Sequence, residues 1–134
     1  MIVLDSSAII AILEREPEHE KLREIIAANA SRCSLSVLNY FETATVIFAR
    51  RGVPGLETLK QFLELTGMAL VPFGARQAEE ALLAFQRYGK GVHPETRLNL
   101  CDCAAYALAK SLDAPLLFKG NDFSSTDISP AIAS

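Results

Sequence analysis

Tryptophan is absent from this chain of 134 residues, histidine occurs twice, and only three cysteines are present. Cys33, Cys101 and Cys103 are odd in number and lack the C-x-x-C spacing, which argues against a disulfide framework and against a thiolate zinc site. They read as small core residues. His19 stands in a charged stretch and His93 in a turn-rich one, so neither has the setting of a catalytic triad. Long hydrophobic runs are missing as well. The apolar stretches 36–41 and 43–49 are split by Glu42, far short of the roughly 20 residues a membrane span needs. No excess of basic charge exists either: 13 Lys and Arg face 16 Asp and Glu, for a net charge of −3. Such a chain binds nucleic acid poorly unless divalent cations offset part of its acidity. The start, Met1-Ile2-Val3-Leu4-Asp5, has no basic segment and no long apolar core of a secretory signal, so a cytoplasmic, reducing setting is expected.

What is present is ample core material, 50% hydrophobic residues with 22% charged, enough for one domain. Short apolar runs alternate with amphipathic helical patterns, the sequence form of an α/β fold around a mostly parallel sheet. Strands are expected at 2–4, 33–35, 68–71 and 116–118. Helices are expected from Ser6 or Ser7 to Leu13 and from Pro17 to about Asn29. Ser36 is expected to cap a helix that Gly52 stops, and Pro54 to open its partner in a helical hairpin, ending near Thr66. Further helices are expected over 75–88 and from 100 to about 112, the last capped by Asn99. Residues 89–94 read as a loop, and a short end piece surrounds Ile128.

The informative residues are acids standing alone in apolar surroundings, because an ionised carboxylate is costly to bury unless paired, hydrogen-bonded or metal-bound. Asp5 is the first charged residue of the chain and Glu42 the only one between Arg32 and Arg50. Asp102 is the only one between Arg97 and Lys110. In open α/β sheets, ligands bind beyond the carboxyl ends of the strands. Asp5 follows the first strand directly, Asp122 follows the last, and Asp102 falls in the first turn of its helix. Hard oxygen donors gathered there suit Mg²⁺ or Mn²⁺. Each acid also has a plainer reading: Asp5 as a helix cap, Asp102 as a first-turn acid, Glu42 in an ion pair with Arg50 or Arg51, Asp122 in a Gly-Asn-Asp turn. Asp127 competes with Asp122 but reads better as part of a turn. Ser7 is a cap or an orienting group for Asp5, and Asn121 a left-handed turn residue or a holder of water.

In this order and at these spacings, Met1-Ile2-Val3-Leu4-Asp5-Ser6-Ser7-Ala8, Val37-Leu38-Asn39-Tyr40-Phe41-Glu42, the stretch from Leu98 to Ala109 and Leu116-Leu117-Phe118-Lys119-Gly120-Asn121-Asp122-Phe123 resemble the PIN-domain nucleases. Within them the chain is similar to the VapC toxins of prokaryotic toxin-antitoxin pairs. The resemblance spans the whole chain, 1–134, as a single PIN domain. It implies an α/β/α sandwich with a central mostly parallel sheet of four to five strands. It implies that Asp5, Glu42, Asp102 and Asp122 form a catalytic quartet binding one or two Mg²⁺ or Mn²⁺ ions. Many relatives carry a further acid where this chain has Asn121. The implied activity is metal-dependent endoribonuclease cleavage of RNA, with tRNA or rRNA as the expected target class. The implied partners are a second copy in a homodimer and a VapB-like antitoxin.

For substrate grip, Arg87, Lys90, His93 and Arg97 flank the loop before Asp102, with Arg50, Arg51 and Lys119 as secondary candidates; the plainer reading is a solvated loop. Of Tyr40, Phe41, Ile47, Phe48, Leu59, Phe62 and Leu63, most are expected in the core and part on a partner-binding surface. Two other classes fit less well. An aspartate-nucleophile phosphatase would want an acid where Ser7 stands, and a receiver domain an acidic pair near the first strand. A catalytically silent binding module would show the loss of one of the four acids, and all four are in place.

Overall fold

The structure, a computed structural model, describes residues 1–92 and 94–131. The elements are β1 (Ile2–Leu4), α1 (Ser6–Leu13), α2 (His19–Ala28), β2 (Cys33–Ser36), α3 (Val37–Thr66), β3 (Ala69–Val71), α4 (Ala75–Tyr88), α5 (Leu100–Ser111) and β4 (Leu116–Leu117). All three strand pairings are parallel, and the sheet order is β3-β2-β1-β4. Alternation along the strands sorts the core into two layers, since successive side chains point to opposite faces. Val3 and Leu116 join Ala105, Leu108 and Ala84 on one face. Ile2, Leu4 and Leu117 join Ile9, Ile12, Leu22 and Leu59 on the other. Helices α4 and α5 therefore cover one side, and α1, α2 and α3 the other, giving the expected α/β/α sandwich.

Strand order decides where a site can form. The chain steps outward from β1 to β2 to β3, then returns to place β4 on the opposite side of β1. The order thus reverses between β1 and β4, and the crevice at such a reversal is where open sheets bind ligands. Asp5 leaves β1 at that crevice, and the loop after β4 borders it.

Several boundaries differ from the sequence expectation for identifiable reasons. Helix α2 begins at His19 rather than Pro17, because Glu18 holds a left-handed backbone (φ 76°). The strand β4 stops at Leu117, and two residues on the Lys119 N–H turns to the Ser7 Oγ at 3.0 Å. Beyond it, the end piece lies along β4 through a parallel bridge between Leu116 and Pro130. The two expected helices of the hairpin are continuous as α3 but broken at Gly52 (φ 63°, ψ −153°). A Cβ on Gly55 would stand 2.9 Å from the Ile47 Cγ2. In a straight helix those residues lie about 12 Å apart along the axis, so the second half folds back on the first. The Gly52 backbone is one that only glycine adopts without strain. Replacing Gly52 with Ala is expected to lower stability by about 1–3 kcal/mol, read as the shift in urea midpoint at unchanged slope.

Candidate active site

Each carboxylate reaches the crevice on a different element. The Asp5 N–H completes the ladder to the Leu117 carbonyl at 2.9 Å, which fixes its backbone at the end of β1. Its side chain caps α1, Oδ2 accepting from the Ser7 N–H at 3.0 Å. Asp102 sits in a reciprocal capping box: its Oδ2 accepts from the Asn99 N–H at 3.0 Å, and its own N–H donates to the Asn99 Oδ1 at 2.9 Å. Both plain readings of these aspartates as helix-start residues hold. Neither uses up the side chain, for each cap engages one oxygen of two. The Asp5 Oδ1 is buried and has no hydrogen-bond partner.

Asp5, Glu42, Asp102 and Asp122 line one small cleft of about 170 Å³, with Ser7 and Lys119 at its rim and Ile10, Val46 and Phe123 among its apolar lining. Asp5 and Asp102 are buried, at 4% and 7% exposure; Glu42 is half-buried and Asp122 exposed. Burial raises the Asp5 carboxyl to about 6, with the Ser7 hydrogen bond opposing and the Glu42 charge adding to the rise. Asp102 is pushed to about 7, by burial first and then by the charges of Asp5, Asp122 and Glu42, against the Asn99 N–H. Four carboxylates therefore share one electrostatic environment. They are not drawn into a finished cage: among the described residues no group of three or more His, Cys, Asp or Glu side chains is poised to close on a metal ion. Like charges stand off from one another unless a cation stands between them.

The donor chemistry nevertheless fits a hard divalent cation. The set is carboxylate oxygen throughout, one of them buried without a partner, and oxygen sets of this kind suit Mg²⁺ or Mn²⁺ over thiophilic metals.

The profile of the PIN domain matches residues 2–129 of the chain. The chain belongs to the PIN domain family. It is 46% identical to a ribonuclease VapC of Mycolicibacterium smegmatis over 127 residues, 95% of this chain and 97% of that protein. It is 44% identical to ribonuclease VapC30 of Mycobacterium tuberculosis, over 95% of each. These relatives put it in the VapC branch of the PIN domains. Among solved structures, VapC20 of M. tuberculosis, a toxin that cleaves the sarcin-ricin loop, superposes with a TM-score of 0.78 at 18% identity over 96% of each chain. A DNA-bound VapBC of Salmonella typhimurium gives 0.73 at 17% identity, covering 96% of this chain and 94% of that one. At such identities the likeness is one of fold.

Of the other sequence candidates, Ser7 and Lys119 line the cleft of this PIN domain, and the remainder of those described do not. Asp127 accepts a hydrogen bond from the Tyr106 hydroxyl and pairs with the Lys110 Nζ at 3.0 Å. Asn121 lines a neighbouring cleft with Phe118 and Lys119. Ser7 does more than cap, since its Oγ tethers the loop after β4. Arg51 pairs with Glu14 at 2.8 Å instead of Glu42, and Arg87 lies over the Tyr88 ring. Arg50, Lys90 and Arg97 are exposed, and His93 lies outside the described residues. Lys119 is at the rim, its Nζ held by Glu16 at 2.8 Å. One expectation needs correction: Cys33 and Cys103 are core residues, but Cys101 is half-buried beside Glu42, where burial and that carboxylate push its thiol up to about 12.

Sequence reading missed the polar network behind the carboxylates. The Asn39 Nδ2 donates to the Cys101 carbonyl at 3.0 Å and to the Ser6 Oγ at 3.3 Å. Its signal was a lone amide one helical turn before Glu42.

The raised carboxyls set a sign for pH dependence. An unfolded aspartate titrates near 4, so between about pH 4 and 7 the folded chain holds protons that the unfolded chain has released. Stability from these groups is greatest at the acid end of that window and falls as pH rises through it. With chelator present, Asp102→Asn, which keeps the cap acceptor, is expected to exceed the parent in stability by on the order of 2 kcal/mol near pH 7.5. The gap should close near pH 4, and urea titrations at the two pH values measure it.

Proposed function

We propose that the protein is a Mg²⁺- or Mn²⁺-dependent endoribonuclease, the toxic component of a VapBC-type pair, acting on structured RNA such as tRNA or rRNA. The observation that carries this reading is the convergence of Asp5, Glu42, Asp102 and Asp122 on one cleft at the β1/β4 reversal. All four would hold the ion. When bound, such an ion makes its water easier to deprotonate and offsets charge gathering on the scissile phosphate. The chain supplies the positioning. The caps on α1 and α5 fix the Asp5 and Asp102 Oδ2 atoms, and Phe123, 3% exposed, anchors the turn that carries Asp122. Lys119 lines the same cleft, and its ammonium, paired with Glu16 at 2.8 Å, would have to exchange that partner to meet a phosphate oxygen.

The helix that carries Glu42 also suits a small protein inhibitor. Phe41 and Phe48 are 65% and 52% exposed on the helix that carries Glu42, while Ile47, Leu59 and Leu63 of the same hairpin are buried. Those two rings supply an exposed apolar surface on the helix that also contributes Glu42 to the acidic cleft, which fits a VapB-like antitoxin with an apolar segment and a basic side chain. A homodimer is also part of this reading, and so is a cytoplasmic location. Among the described residues no helix is long and apolar enough to cross a membrane.

Partner-free protein incubated with total bacterial RNA and Mn²⁺ is expected to give discrete cuts, lost on chelation and reduced at least about 100-fold in Asp5→Asn and Asp102→Asn. Sequencing the product ends identifies the target. Undiminished cleavage by either variant would refute the assignment.

A further inference from the structure

Asn39 is fully buried in an otherwise apolar stretch of α3, and its hydrogen bonds run to two other elements rather than along its own helix. The Nδ2 bridges the Ser6 Oγ on α1 and the Cys101 carbonyl on α5. Ser6 answers by donating its hydroxyl to the Asn39 carbonyl at 3.1 Å, and the Thr43 hydroxyl donates to the same carbonyl at 2.7 Å. The orientation of the amide is settled by chemistry, because the Cys101 carbonyl can only accept. That choice leaves the Asn39 Oδ1 buried without a partner. A fold seeking only a well-packed helix would place an apolar residue here, since an unpaired buried acceptor is unfavourable. The amide is retained for its two donated bonds.

Those bonds end beside the carboxylates. Ser6 follows Asp5, Cys101 precedes Asp102, and Glu42 lies one turn beyond Asn39 on α3. The three acids sit on three elements. The Glu42 charge adds to the rise at Asp5, as the Asp5 and Glu42 charges add to that at Asp102, so the like charges push those elements apart. We propose that Asn39 is a positioning residue for the metal site. It ties the first turns of α1 and α5 to α3 and so holds Asp5, Asp102 and Glu42 at a separation that one divalent cation can span. This rests on the metal-dependent reading above.

Asn39→Leu, close in size and free of the orphaned oxygen, separates positioning from packing. Calorimetry of the metal-free variant with Mn²⁺ alone should show affinity reduced about 10- to 100-fold, the usual effect of removing a group that orients ligands. Its melting temperature should change little, because the orphaned oxygen is lost together with the donor to the Cys101 carbonyl. Amide exchange at Ser7 and Asp102 should quicken in metal-free protein, and RNA cleavage should require more Mn²⁺ while approaching the parent rate at saturation. Ser6→Ala removes one arm only and should weaken Mn²⁺ binding in the same direction, adding little once Leu stands at 39. Parental Mn²⁺ affinity in folded Asn39→Leu overturns the inference; if that variant does not fold, parental affinity in Ser6→Ala does so. A parent protein that binds no Mn²⁺ overturns the metal reading itself and this inference with it.

Discussion

Two buried aspartates, Asp5 and Asp102, line one cleft at the β1/β4 reversal, and the surrounding structure is organised around keeping them there. Burial raises both carboxyls well above the ordinary range, with the Glu42 charge adding to the rise at each and the Asp5 charge to that at Asp102. A chain without compensation would relax by turning them toward solvent. Three devices prevent this. Asp5 and Asp102 are each pinned by a backbone N–H at a helix start, where the helix dipole favours negative charge. The Asn39 amide joins the helices from behind, and Ser7 draws in the loop that brings Asp122. Structural capping and the proposed ligand role are thus not rival readings of these residues, because each cap engages one oxygen and leaves the other to serve a ligand.

The architecture explains why the four acids lie so far apart in sequence. A parallel sheet delivers every strand end to the same edge, so residues from separate junctions can meet in one crevice. Asp5 stands at the first junction. Ser36 closes β2 and caps α3, whose second turn carries Glu42. Asp102 opens α5, and Asp122 follows β4. Dispersing the acids over separate elements lets the core fix each backbone independently, the condition for holding like charges close without a rearranged loop.

Much of this was legible in the sequence because it depends on local patterns. The four strands announced themselves as short apolar runs, Ser36 and Asn99 as caps, and Gly52 as a stop. Asp5, Glu42 and Asp102 stood out because isolated charges in apolar segments demand an explanation. What escaped notice was non-local or followed from geometry. Pro17 is a good helix opener, yet the left-handed backbone at Glu18 moved the start of α2 to His19. Cys101 looked like a core thiol until α5 turned it toward Glu42. The pairing of Arg51 with Glu14 depends on the fold-back at Gly52, which no reading of nearest neighbours in sequence supplies.

Asn39 shows the same limit from the other side. In sequence it is one polar residue in a helix that also carries Thr43 and Thr45, and nothing marks its side chain as buried. Only the tertiary arrangement reveals that its partners are residue 6 and residue 101, each one step from an acid. A site built from repelling charges needs attractive bonds somewhere, and neutral hydrogen bonds supply attraction without altering the net charge that a cation would meet. An arginine in place of Asn39 would hold the aspartates more strongly but would cancel the negative potential that draws a divalent ion. A buried amide keeps the elements together and leaves the charge of the cleft intact.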